Sequence, residues 1–376
     1  MINRTSVCGW VVLLVGCVGL LGSGIAQAQT PALERDSERM AELVVAPVYQ
    51  HIDDGAMQLD AWSSRMQLTV PLPYQTVVQS SIQYGLATGE ALSTVHGLTD
   101  LQLRVQHTTS VQSGRLVVGV DASVPTGAEA LTTRELRTTI QTSQRPYEFR
   151  VPTFGQGWSV APAVTWAMPV TQDLALGVGV SGRYQGGYRP LVNSTADYVP
   201  GHEVEMRLGG DYRIGEATTV ALDGIATYIA PDTDGGQTRF EAKYTTAVRA
   251  QYLWQRRSQA VRVQARYESW PESRYRPVLL TEDTIGTGAP VTKQVLPSIW
   301  QGAAGYTQSL IGPLGLGLRG GVSHYTATSR FDAQTVVRLQ AAPRLQWDDT
   351  VLTMHTTYTA GSFTGFEAGL HTAIQF

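Results

Sequence analysis

The side chains with the most chemical capacity in this chain are its arginines, and their spacing gives them meaning. In Gly201–Arg213, Arg207 and Arg213 share a face with Glu203, Glu205 and Asp211, opposite Val204, Met206, Leu208 and Tyr212. In Arg239–Trp254, Arg239, Glu241, Lys243 and Arg249 oppose Phe240, Tyr244, Val248, Tyr252 and Trp254. Arg262, Arg266 and Glu268 oppose Val261, Val263, Ala265 and Tyr267, and Arg183 opposes Leu174, Leu176, Val178 and Val180. Extended along the chain, this alternation puts fourteen basic residues on the polar face, the others being Arg65, Arg104, Arg115, Arg319, Arg338 and Arg344. It puts seven acids there, the remaining two being Asp121 and Glu367. Fixed cations around a narrow low-dielectric passage concentrate anions. Paired with acids, as Arg207 could be with Glu205, the same residues would instead brace a wall. The residues expected to line such a passage are Arg104, Arg183, Arg207, Arg249, Arg262, Arg266, Arg319, Glu205, Asp211 and Glu241.

Other chemistry-bearing patterns point less far. Gly177–Gly182 and Gly315–Gly320 match G-x-G-x-x-G, but a dinucleotide site needs those glycines at a strand-to-helix turn. Here they fall inside alternating strands, where glycine gives room for bends and long side chains. Asp232-Thr233-Asp234-Gly235-Gly236 resembles the start of a calcium loop, but Gln237 stands where the loop's turn glycine belongs. It reads as a polar turn. Ser323 and His324 are adjacent in a strand and so point to opposite faces, which excludes a nucleophile–base pair. His355 and His371 would stand opposite each other if their hairpin turned about Phe363, with no third metal ligand in reach. No catalytic residue, metal or cofactor is expected, and the chain is not expected to be an enzyme.

The elements that carry these residues are strands. Charged residues are 16% and hydrophobic residues 43%, with 38 Gly, 16 Tyr and 8 Trp. Disordered chains are charged and aromatic-poor, so disorder is excluded. Past residue 30 no apolar run is long enough for a transmembrane helix. Cys8 and Cys17 are the only cysteines, which excludes a disulfide scaffold. The uncharged stretches Val151–Gln172 and Gln294–Leu318 contain prolines that a helix would not tolerate. Both read as hairpins, turning near Met168–Gln172 and Leu310–Leu314. Short links (Pro71–Tyr74, Val111–Gly114, Met168–Gln172, Ile214–Ala217, Gln255–Ser258, Ile311–Pro313, Trp347–Thr350) alternate with longer ones (Ala87–His96, Pro125–Gly155, Gly186–Gly201, Pro231–Gln237, Pro271–Lys293). Short turns on one rim and long loops on the other define a transmembrane antiparallel up-and-down β-barrel. The count is about sixteen strands, or fourteen without the first pair, Leu43–His51 and Met57–Val70. Trp158 and Trp166, on one face eight residues apart, span roughly 20 Å of membrane normal and fit two aromatic girdles.

Residues 1–28 read as a signal peptide: Arg4, an apolar core from Trp10 to Leu21, and the cleavage site Ala26-Gln27-Ala28. Leu14-Val15-Gly16-Cys17 also fits a lipoprotein box, with Cys17 then the lipidated terminus. Residues 29–42 are expected as a short periplasmic segment, helical over Ala32–Glu42, and 43–376 as the barrel. The last strand, Gly365–Phe376, ends in a terminal aromatic after alternating Phe366, Ala368, Leu370 and Ile374. It resembles the assembly signal of bacterial outer-membrane barrels, which implies Phe376 as that signal and the barrel-assembly machinery as a partner. Gly97-Leu98-Thr99-Asp100-Leu101, followed by Ser123-Val124-Pro125-Thr126-Gly127, resembles the outer-membrane channels of the phenol-degradation MetA-pathway group, related in style to fatty acid channels. That resemblance implies uptake of hydrophobic compounds such as aromatics, where the charge pattern implies passive diffusion of small solutes. The expected partners are outer-membrane lipid and a small solute. The net charge of −3 carries no basic surplus for nucleic acid. The alternative class is a barrel that transports nothing: a structural or adhesive surface protein, kept open by the long loops, or a membrane-embedded hydrolase.

Overall fold

A computed structural model describes residues 40–376 apart from 91, 129, 152, 195, 276–277, 281–284, 288–290 and 330–331. The expected signal peptide and almost all of the expected N-terminal helix lie outside the described residues.

The alternating segments form sixteen antiparallel strands, each paired with its sequence neighbours. They are β1 (Glu42–Asp53), β2 (Gln58–Leu72), β3 (Thr76–Gly89), β4 (Leu101–Val111), β5 (Gly114–Val124), β6 (Ser159–Pro169), β7 (Leu174–Gln185), β8 (Glu203–Ile214), β9 (Thr218–Ile229), β10 (Lys243–Arg256), β11 (Gln259–Ser269), β12 (Ile299–Ser309), β13 (Leu314–Tyr325), β14 (Gln334–Trp347), β15 (Thr350–Gly361) and β16 (Thr364–Gln375). A short leader, Val95–Leu98, pairs with β3 ahead of β4. β16 pairs with β1, Glu42 opposite Gln375 and Asp53 opposite Thr364, so the sheet is closed and has no free edge. The first hairpin, doubtful from sequence, is fully paired from Glu42–Thr69 to Asp53–Gln58.

Closure explains the alternation. One face of each strand looks out and stays exposed although apolar: Met66, Val180, Met206, Leu208, Leu222, Leu339 and Met354 are 49–67% accessible. Such a belt on a closed sheet is what a bilayer requires, because every backbone group inside it is paired. No helix among the described residues is long and apolar enough to cross a membrane. Aromatics gather outward at both ends of the belt. Trp158 packs on Tyr184 and Tyr267 on Trp300 near the long-loop rim. At the short-turn rim the turns Gln112-Ser113, Arg257-Ser258 and Asp348-Asp349 are two residues long, and Gln112, Arg257 and Asp348 take positive φ. That left-handed geometry is what tight hairpins need to follow strand twist.

Two expected strands are corrected. Arg239–Trp254 is not continuous: it breaks at Ala242, which is fully buried, and Lys243 restarts it at φ 67°. Gln237–Glu241, with Arg239 and Glu241, belongs to a small rim sheet with Tyr198–Val199, Asp232–Asp234, Ser273–Tyr275 and Val291–Lys293. The strand expected after Gly155 begins only at Ser159, and residues 156–158 end the long connection between β5 and β6.

Candidate functional site

That connection, from Pro125 to Trp158, does not stay outside the barrel. Its two ends are clasped by Asp100, whose buried carboxylate accepts the Gly127 N–H at 3.0 Å and the Gln156 N–H at 2.7 Å. Thr126 Oγ1 accepts the Leu101 N–H at 2.9 Å and donates to the Thr99 carbonyl at 3.2 Å. Gly127 is required here, because a Cβ would stand 2.5 Å from the Phe154 carbonyl. The clasp is thus built from the two segments, Gly97–Leu101 and Ser123–Gly127, that carry the sequence resemblance.

Beyond the clasp runs one helix, α1 (Thr133–Thr142), begun by a capping box in which Thr132 and Glu135 satisfy each other's backbone N–H. The chain then crosses to the far side. Arg145 pairs with Glu268 of β11 at 2.6 Å and lies over the Trp270 ring. Tyr147 donates to Asp54 at 2.5 Å; burial, with that carboxylate beside it, pushes its phenol far above the ordinary range. Glu148 pairs with Arg338 of β14 at 3.2 Å. Arg150 pairs with Glu367 of β16 at 2.6 Å, and its backbone N–H donates to Gln50 of β1. A loop rooted between β5 and β6 reaches β1, β11, β14 and β16 only through the lumen. Tyr147 and Phe149 are buried there among Ile52, Leu59, Ile299, Tyr325, Val336 and Phe363. Together these eight side chains form an apolar core inside the barrel, at its long-loop end.

The loop defines which strand faces look inward. Arg104 is ion-paired with Asp121, Arg207 with Glu205 and Arg266 with Glu268. Arg183 approaches Glu203 at 3.7 Å. Arg249 lies opposite Asp223, which also stands beside Arg207 and near Asp211. Arg319 stands beside Arg262, Arg338 and Glu148. Glu241 sits in the rim sheet rather than on a barrel strand. Phe376 extends the seam, its N–H and carbonyl bonded to Ala41. Small residues, Ala161, Ala163, Thr165, Gly179 and Ser181, bound a cavity between Asp121 and the Arg183–Glu203–Glu205–Arg207 cluster.

Some groups escaped the sequence reading. Asp223-Gly224 has turn chemistry but sits mid-strand, facing Gly209, where a Cβ would meet Asp223 Oδ1 at 2.3 Å. Arg145, Glu148 and Arg150 lie in a loop whose direction no alternation encodes. His355 and His371 are not opposite: they face Gly369 and Thr353, because the hairpin centres on Ser362, one residue earlier than Phe363. Glu367 bonds His355 at 3.1 Å instead of lying out of reach. In the rim, Asp232 accepts from Tyr198 and from the Gly201 N–H. Burial nevertheless raises its carboxyl above the usual range.

Fold and site together define an outer-membrane-type β-barrel whose lumen is occupied by one of its own loops. No family model matches the sequence, and no curated protein does. Among solved structures, the chain is similar to an outer membrane channel of Pseudomonas putida F1 (11% identity, 90% of this chain and 96% of that one, TM-score 0.42). It is similar to the outer membrane protein OpdK of Pseudomonas aeruginosa (10%, 90% and 98%, TM-score 0.44). A third likeness is to an anion-selective porin from Comamonas acidovorans (11%, 90% and 98%, TM-score 0.42). Likenesses at this level do not bear on function.

Proposed function

We propose that this protein is a passive outer-membrane channel for small solutes, narrowed by the Pro125–Trp158 loop and favouring anions. The observation that carries the reading is the docking of that loop on one side of the lumen. The segment Arg145–Arg150 binds to β1, β11, β14 and β16, while the cavity bounded by Ala163, Gly179 and Ser181 lies on the β5–β8 side. A strand count of sixteen is enough to enclose an aqueous lumen. Anion preference follows from the arginines of β11–β14, where Arg262, Arg266, Arg319, Arg338 and Arg344 face inward with Glu268 as their strand-borne acid. Purified protein in a planar bilayer, under a salt gradient, should conduct and give a reversal potential on the anion side. The second reading, uptake of hydrophobic compounds, is favoured by the buried cluster around Phe149 and Tyr325, an apolar patch within the barrel. In either case assembly uses the C-terminal strand: deleting Phe376 should lower membrane insertion without blocking secretion.

A further inference from the structure

Glu148 stands apart from the other loop anchors. Its φ is 53°, a left-handed conformation that is strained for a residue with a Cβ and persists only where surroundings enforce it. What the strain delivers is one carboxylate oxygen into a socket on the barrel wall. Glu148 Oε1 accepts from the Tyr325 hydroxyl at 2.9 Å and from Gln301 Nε2 at 3.4 Å, with Arg338 Nη1 at 3.2 Å. Arg319 and Arg262, both opposite Gly305 in register, bring further positive charge to the same wall. Tyr325 is 1% exposed and Gln301 is braced by Ser323, so the donors are held in place. The inward residues of β12–β14 carry Arg319 and Arg338 here and no acid; the carboxylate comes from the loop. The wall alone is therefore a set of converging donors and cations that calls for an anion. The apolar cluster of Ile299, Val336 and Phe149 adjoins it, with Tyr325 belonging to both.

We infer that this socket is a binding site for small carboxylic acids with an apolar body, and that Glu148 fills it when no solute is present. The inference rests on the channel reading and names its solute class. It reconciles the two sequence expectations: the arginines recognise the acid group, the aromatic cluster the rest of the molecule. Glu148's side chain is 30% exposed, so an incoming carboxylate can compete for the socket.

The test uses the full-length protein in detergent and benzoate, with benzamide as its neutral counterpart. Glu148→Gly removes the resident carboxylate and suits the left-handed backbone; the Asp100 clasp and the Arg145 and Arg150 pairs hold the loop. Calorimetry should show benzoate binding to this variant about tenfold or more tighter than to wild type, and tighter than benzamide by at least as much, because a donor-lined site rejects an analogue lacking the charge. Adding Arg338→Gln should abolish the gain. Glu148→Gln, whose amide still occupies the socket, should fall between. Equal binding of benzoate and benzamide in Glu148→Gly, or a gain that survives Arg338→Gln, would overturn the site. Bilayer conductance of wild type is measured separately. A barrel that never conducts but binds benzoate in this way would sink the channel and leave the site; a conducting barrel indifferent to benzoate would do the reverse.

Discussion

The two sides of this barrel are built alike and used differently. On the side of β11–β16 and β1, inward charges meet the loop: Glu268 and Glu367 are each 10% exposed and hold Arg145 and Arg150. On the side of β4–β8, charges meet each other: Arg104 and Asp121 are 34% and 40% exposed, Arg183 and Glu203 41% and 32%. The first set is desolvated and linked to distant chain; the second is half-solvated and links adjacent strands. Buried pairs are costly to break, whereas exposed pairs contribute about 0–1 kcal/mol. In the channel proposed above, one wall anchors the constriction and the other borders the solute path. The Arg207–Glu205 pair, 19% and 7% exposed, marks how close the anchoring chemistry comes to the open side.

The largest effect expected on this contrast is from Asp100→Ala, which strands the N–H groups of Gly127 and Gln156 at once. At roughly 1.5–3 kcal/mol per hydrogen bond to a charged acceptor, the docked loop should be lost in most molecules. Single-channel conductance should rise several-fold, and protease should cut within residues 125–158. Next is Glu367→Gln, which leaves Arg150 beside a neutral amide. Breaking this buried pair should weaken docking by roughly 3 kcal/mol and add open-state flicker, whereas Asp121→Asn on the other wall should leave gating unchanged. If both variants flicker equally, the two walls do not differ.

Selectivity should follow the reverse order. Arg183→Gln with Arg207→Gln uncovers Glu203 and Glu205 along the open path and should move the reversal potential toward cations. Arg262→Gln with Arg266→Gln should move it less, because Glu268 keeps Arg145. Both shifts should shrink as salt rises and the screening length falls from about 10 Å at 0.1 M to about 3 Å at 1 M. The smallest effect lies in the rim. Asp232 has a raised carboxyl, so its contribution to the rim sheet is full below the ordinary carboxylate value and declines as pH rises through the raised one. Protease resistance of residues 186–202 should therefore fall slightly over that window, and Asp232→Asn should flatten the decline.

How much of this was legible beforehand depends on whether a bilayer imposed it. Strand number, turn positions and the outward faces follow from alternation, since a lipid-facing strand cannot lapse from it without burying or exposing the wrong residue. The break at Ala242 hides because Phe240, Ala242 and Tyr244 keep the parity while the backbone turns away. The loop's course is carried by pairs 93 to 217 residues apart in sequence, such as Tyr147–Asp54 and Arg150–Glu367, which no local pattern reveals. Phe363 illustrates the limit: it reads as a turn tip, yet it is 4% exposed because the loop's Tyr147 stacks edge-on against it. In the sequence Asp100, Thr126 and Gly127 stand out only through a resemblance; their work, closing the loop onto the barrel, depends on the contact between residues 97–101 and 123–127.

The proposed channel is an open, anion-preferring path beside a docked loop. The reversal potential of the unmodified protein in a planar bilayer under a salt gradient tests it most directly. Steady conduction is expected, with the potential displaced to the anion side, more strongly at low salt. A barrel that does not conduct, or one that prefers cations, would contradict it and leave the inward arginines as braces.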